Sequence, residues 1–371
     1  MTKARLRSRG ATGNKLDLQA DVPEADVLIY IRIVLAVCML FCARTAVSQS
    51  APSRRFDKPV WTSAEGFSVP PDVRELRDGR VLVVDSKDRE VSLLSATGVR
   101  IRTVGRTGAG PLEYRWPIRI LTLPGDSSII LDRELQRFLV IAPDATPLGV
   151  IAPPPGTARI DNDVITDAEG RLLFPALWHG TVADPYVPII RWNRASRIDT
   201  VGKMQMRTVV TSGTPKGDYT VRAIMYSPQD VLLSRSPDGF SLLRAKDYHL
   251  DVIRTGQAVQ SSPLVPYEPV ALSATEKLAE SKDGSMKLPV PTHKPAFSEA
   301  IVSPGGEVWV RRSIAAGSTL HSYDVLDAKG VRLQTIVLPR TRRVVGLSAT
   351  KVYIARADDD GLNWLEAHAR Q

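Results

Sequence analysis

The sequence predicts an all-β protein in which four-stranded antiparallel sheets repeat along the chain and close into a ring. Three observations predict this. Val, Ile, Leu and Thr are spread evenly through 371 residues and punctuated by 27 Pro and 25 Gly, while few stretches show the 3.6-residue apolar period of a helix. A unit of short strands and tight polar turns recurs at roughly the spacing of repeat architectures, about 40 to 50 residues. The last copy is one strand short, and an orphan strand precedes the first. The length exceeds one small sandwich and suits a single large closed β domain.

In chain order the first element is a targeting segment. "VLIYIRIVLAVCMLFC" (27–42) is an apolar run broken only by Arg32, followed by "ARTAVSQSAP" with Ala46 and Ser48 where a signal peptidase reads small residues. The domains are therefore expected as a signal peptide or N-terminal membrane segment over 1–48 and a folded body over 49–371. As an uncleaved anchor the run is short against the roughly 20 residues a bilayer requires. Both cysteines, Cys38 and Cys42, lie inside it, so the exported chain has no thiols and depends on burial and ring closure. The net charge of +9 comes without any block of like charge. This argues against a nucleic-acid partner, and leaves contact with a membrane only through an uncleaved N-terminus.

The fullest repeat is "VRELRDGRVLVVDSKDREVSLLSATGVRIRTVG" (73–105), four strands joined by turns at Asp78-Gly79, after Asp85, and at Gly98. Further copies run over 118–152, 163–202 with a longer middle hairpin, 221–256, 298–338, and 344–370 with three strands only. "FDKPVWTSA" (56–64) supplies the missing strand. Radial four-stranded units leave exposed edges unless the ring closes, and pairing the N-terminal strand with the three C-terminal ones removes the last edge. The expected architecture is a six-bladed β-propeller closed in this way. The departure from regularity is 257–297, an insertion between the fourth and fifth units, with Ser273 placed to cap a short helix and Glu276 three residues on.

"VVDSKDREVSLLSATG" (83–98), with an Asp closing the second strand and an Arg shortly after, and "VGRTGAGPLEYRWP" (104–117) in the linking position resemble the NHL-like six-bladed propellers of secreted bacterial proteins. The linker departs from the usual form at Leu112, where Gly is common, and at Tyr114, where Phe is. The resemblance implies a propeller in the periplasm or outside the cell. It implies no single chemistry, since relatives include lyases, lactonases and ligand-binding ectodomains.

The glycine-rich linker lacks the Lys-Ser or Lys-Thr pair and the following helix of a phosphate loop. Its glycines suit a crossing from rim to axis. Because such linkers share a face with the middle hairpins, Arg106, Glu113 and Tyr114 are ligand-binding candidates, together with Trp178 and His179 in "FPALWHGTVADPY" (174–186). Asp85 with Arg89, and Asp132 with Arg137, sit at matching places, as repeated structural ion pairs or turn hydrogen bonds would. The five histidines show no metal-ligand spacing, no G-x-S-x-G elbow occurs, and "RADDDGLNW" (356–364) reads as a polar hairpin turn. The catalytic residues are thus unassigned and no metal site is expected. The functional expectation is a non-enzymatic, monomeric binding module without a cofactor, taking a protein, peptide or carbohydrate ligand at a channel mouth partly covered by the insertion. The alternative is a hydrolase or lyase with a divalent cation such as calcium on the axis.

Export with cleavage near Ser48 predicts that mass spectrometry of the protein from its native envelope finds an N-terminus around Gln49. A chain beginning before Val27 would overturn the assignment.

Overall fold

The second strand of each repeat explains the architecture, because it is apolar on both sides. In Val81–Asp85 all five residues are buried, and in Ser128–Asp132 likewise. A strand presents alternate side chains to opposite faces, so such a run requires a covering layer on each side.

The computed structural model describes residues 53–54, 56, 58–153, 159–177, 179–213, 219–234, 239–281 and 288–370. The expected targeting segment and Trp178 lie outside these. Six sheets of four antiparallel strands follow in chain order, with inner strands Asp72–Glu75, Pro117–Thr122, Ile165–Thr166, Val231–Ser234, Phe297–Val302 and Arg342–Leu347. Each inner strand lies against the next, and Arg342–Leu347 lies against Asp72–Glu75. The apolar core is divided in the same cyclic way, into a cluster between each consecutive pair of sheets and one between the sixth and the first.

The sixth sheet takes three strands from the C-terminus and its fourth from Trp61–Phe67, which pairs antiparallel with Asn363–Ala369. Ser53–Arg54 adds a parallel strand to the outer edge of the fifth sheet. The fourth unit differs from the expected 221–256. Tyr219–Ala223 does not form its inner strand; it pairs with Thr208–Gly213 in a separate hairpin, and the outer strand is Gln260–Ser261, inside what the sequence suggested was insertion. The reason is local: Tyr219–Ala223 has the strand character of a first strand but finds its partner in Thr208–Gly213.

The paired Asp and Arg residues resolve into turn hydrogen bonds rather than ion pairs. Asp85 accepts from the amides of Lys87 (3.0 Å), Asp88 (3.1 Å) and Ser68 (2.6 Å), and Asp132 accepts from those of Glu134, Leu135, Arg115 and Trp116. Each Asp therefore closes its own turn and holds the incoming linker. Arg89 instead faces Glu134 at 3.5 Å, and Arg137 donates to the carbonyls of Ala109, Gly110 and Glu113. The turn after the second strand also places Arg89, Gln136 and Tyr248 in the left-handed region, at φ 55°, 50° and 50°.

Deleting Trp61–Phe67 removes a strand's hydrogen bonds and uncovers Tyr353 and Leu365. The expected result is a loss of several kcal/mol, on the order of half the stability of an ordinary domain, read as a lowered midpoint in denaturant. An unchanged midpoint would show that this pairing contributes nothing.

Candidate functional site at the channel mouth

The inner strands surround a cavity of about 1430 Å³. Their polar contacts fix its two ends. Asp72 opens the inner strand of the first sheet and accepts from the amide of Ile120 at 2.6 Å, within the inner strand of the second. Asp163, just before the third inner strand, accepts from Gln229 Nε2 at 3.1 Å, just before the fourth. Glu299 and Arg343, near the starts of the fifth and sixth, form an ion pair, with Arg343 Nε to Glu299 Oε1 at 3.1 Å. The starts of all six strands are therefore gathered at one mouth. At the opposite end Lys351 pairs with Glu75 at 2.6 Å and Arg74 with Asp126 at 2.8 Å.

Arg119 is the centre of the charged arc at the mouth. It donates to the carbonyl of Asn162 at 2.5 Å and its charge acts on both Asp72 and Asp163. Loss of water in the channel wall raises the pKa of each carboxyl above the ordinary range, against the pull of Arg119 on both, of Arg343 on Asp72 and of Arg207 on Asp163. One oxygen of each, Asp72 Oδ1 and Asp163 Oδ2, takes no hydrogen bond among the described residues, and neither does the exposed Arg207 guanidinium donate one.

The insertion reaches this mouth. Its helix, Ala274–Ser281, starts with the expected capping box: Glu276 N donates to Ser273 Oγ at 3.2 Å and Ser273 N to Glu276 Oε2 at 2.9 Å. Glu276 Oε1 also holds Lys294 Nζ at 2.5 Å, and the buried Glu280 accepts from the amide of Met225 at 2.6 Å. Lys294, Met225 and Tyr226 all line the cavity. Burial raises the Tyr226 phenol pKa, and the Glu276 charge adds to that. The base of the insertion packs separately into the ring, where Val265 is buried with Tyr248 and Leu250. The insertion therefore packs into the ring at its base and contributes Lys294 and Pro295 to the cavity wall.

Of the residues singled out in the sequence, Arg106, Glu113, Tyr114 and His179 do not line the cavity. Glu113 spends its carboxylate on its own loop, accepting from Gly110 N at 2.7 Å and Arg106 Nε at 2.6 Å, which holds its pKa below the usual range. A Cβ on Gly108 would collide with that carboxylate, so the glycine is required by the loop's own closure. Tyr114 is buried between the first two sheets and its hydroxyl accepts from Val91 N at 3.1 Å. His179 lies beside Gly180, whose strand pairs with Thr208–Val209. Among the described residues no three His, Cys, Asp or Glu side chains converge as metal ligands.

No protein-family model and no curated protein sequence matches the chain. Among solved structures it is similar to a "Putative exported protein" of Bacteroides fragilis, at 12% identity and a TM-score of 0.53 over 86% of this chain and 99% of that one. The fold is a β-propeller. Virginiamycin B lyase of Staphylococcus aureus follows at 10% identity and a TM-score of 0.45, covering 84% of this chain and 98% of the lyase. A gluconolactonase of Xanthomonas campestris follows at 12% and 0.41, covering 85% and 88%. Identities this low concern the propeller and not its chemistry. Among the described residues no helix is long and apolar enough to cross a membrane.

The Asp163 carboxyl binds its proton more tightly in the folded chain than in the unfolded one, so folding takes up a proton. The resulting penalty is absent below the ordinary carboxylate pKa, grows as pH rises through the raised folded value and is complete above it. Asp163→Asn, which keeps an oxygen for Gln229, should melt higher than the parent at neutral pH. Its advantage should shrink toward about pH 4. Melting curves showing the same difference at every pH would contradict the assignment.

Proposed function

We propose that the protein is an exported, non-enzymatic ligand-binding module built on an NHL-like six-bladed β-propeller, and that its ligand is held at the mouth where the inner strands begin. The six-bladed reading is supported by the cyclic order of the inner strands and of the apolar clusters. The reading that the ring is closed by the N-terminal strand is supported by the pairing of Trp61–Phe67 with Asn363–Ala369. Export is supported by the apolar segment 27–42 and the small residues after it.

The observation that carries the binding reading is the unspent hydrogen-bonding capacity at the mouth. Asp72 Oδ1, Asp163 Oδ2 and Arg207 line a large cavity open to water and spend no hydrogen bond on the protein's own described groups, which leaves them available to a ligand. The alternative of a divalent-cation hydrolase or lyase would call on convergent carboxylate or imidazole donors. Such a set is not assembled among the described residues, and no specific observation favours that reading.

A ligand that binds only the folded state raises the melting temperature in proportion to its occupancy. A thermal-shift screen of polar small molecules against the full chain should therefore yield hits whose stabilisation disappears in Arg119→Ala and Arg207→Ala. Hits that stabilise parent and both variants equally would place the ligand elsewhere and overturn the site.

A further inference from the structure

We infer that the ligand is a neutral polyhydroxylated molecule, an oligosaccharide of about three rings, bound across Asp72, Arg119 and Asp163 with one sugar face against Met225 and Tyr226. This rests on the mouth being the binding site.

Three observations select that chemistry. The first is charge balance. Among the cavity-lining side chains at this end, Asp72, Asp161, Asp163 and Glu299 stand against Arg119, Arg133, Arg207 and Arg343, while Lys294 is matched by Glu276. A ligand with net charge would leave one sign uncompensated in a partly dehydrated wall, which is costly.

The second is the order of donors and acceptors. Arg119 lies beside both carboxyls, so a ligand crossing the arc meets a free acceptor, a set of donors and a second free acceptor. A hydroxyl group donates one hydrogen bond and accepts two, so adjacent hydroxyls on one ring serve all three without changing their own protonation. A zwitterion satisfies one carboxylate and one guanidinium but leaves the other carboxylate unpaired.

The third is size and surface. The cavity of about 1430 Å³ runs from this mouth to the end where Glu75 and Asp126 stand, so an extended ligand can enter it lengthwise. At its edge Met225 is 60% exposed, next to the half-buried ring of Tyr226. An apolar surface beside a polar arc matches a sugar ring, which has a C–H face and a hydroxyl rim.

The test is isothermal titration of the full chain with three neutral trisaccharides (maltotriose, cellotriose and mannotriose) and, in parallel, with trialanine, citrate and spermidine. The expected result is binding of at least one trisaccharide with affinity little changed by salt, and a loss of about tenfold or more in Arg119→Gln and in Asp163→Asn, the effect of removing a charged hydrogen-bond partner. Circular dichroism and melting curves establish that both variants are folded, and Arg106→Gln, outside the cavity, should bind like the parent. Binding of trialanine, citrate or spermidine but of no trisaccharide, weakened by the same two variants, would overturn the carbohydrate inference while leaving the mouth as the binding site. Trisaccharide binding unaffected by both variants would overturn both, as would the absence of binding by every probe.

Discussion

The structure depends on one constraint: each central strand must bury both of its faces, in two different interfaces. Val81 and Val83 pack toward the sixth sheet while Leu82 and Val84 pack toward the second. Ile130 and its neighbours Ile129 and Leu131 divide in the same way between the first and third sheets, and Tyr353 between Val352 and Ile354 does so at the C-terminus. Fully burying such side chains stabilises by about 1.5–3 kcal/mol each. No sheet can retain that gain unless a neighbour stands on both sides. The first sheet therefore requires the sixth, and the sixth is completed by a strand from the other end of the chain.

From that constraint follows the division of labour between wall and core. The strands that fill the interfaces are mostly apolar, and the charges they carry, such as Asp324 with Arg312, are paired within their own sheet. The inner strands have one covered side and one side facing the channel, where a charge can meet a ligand. Asp72, Arg119, Glu299 and Arg343 each occupy such a position in a different sheet. Their backbones are fixed by the neighbouring strands, and their spacing by the ring. The same placement accounts for the two raised carboxyls, since the wall around each removes part of its water and disfavours the charged form.

Much of the fold was legible because its signals are local. The turn after Asp85, the doubly apolar second strands, the missing strand of the last unit and the Ser273–Glu276 capping box can each be read within a dozen residues. The fourth unit was displaced because a hairpin between Thr208 and Ala223 imitates the local signal of a repeat without belonging to a sheet of the ring. The site was illegible for the converse reason. Its groups come one from each unit, so no spacing joins Asp72 to Arg119, Asp163 or Arg343. The glycine-rich linker drew attention through its composition, yet its glycines serve Glu113 and the loop's own closure. A usable signal did exist: a charged residue at the start of an otherwise apolar first strand, as in "IRILT" and "RRVVG", marks the channel-facing position.

The insertion adds the one element that the ring does not dictate. Its base is part of the packed interface between the fourth and fifth sheets, so it cannot leave without unfolding a blade. Its helix makes polar contacts: Glu276 holds Lys294 within the insertion, and Glu280 accepts from the Met225 amide outside it. The ring thus fixes the charged arc in its wall, and the insertion brings Lys294 to the same cavity.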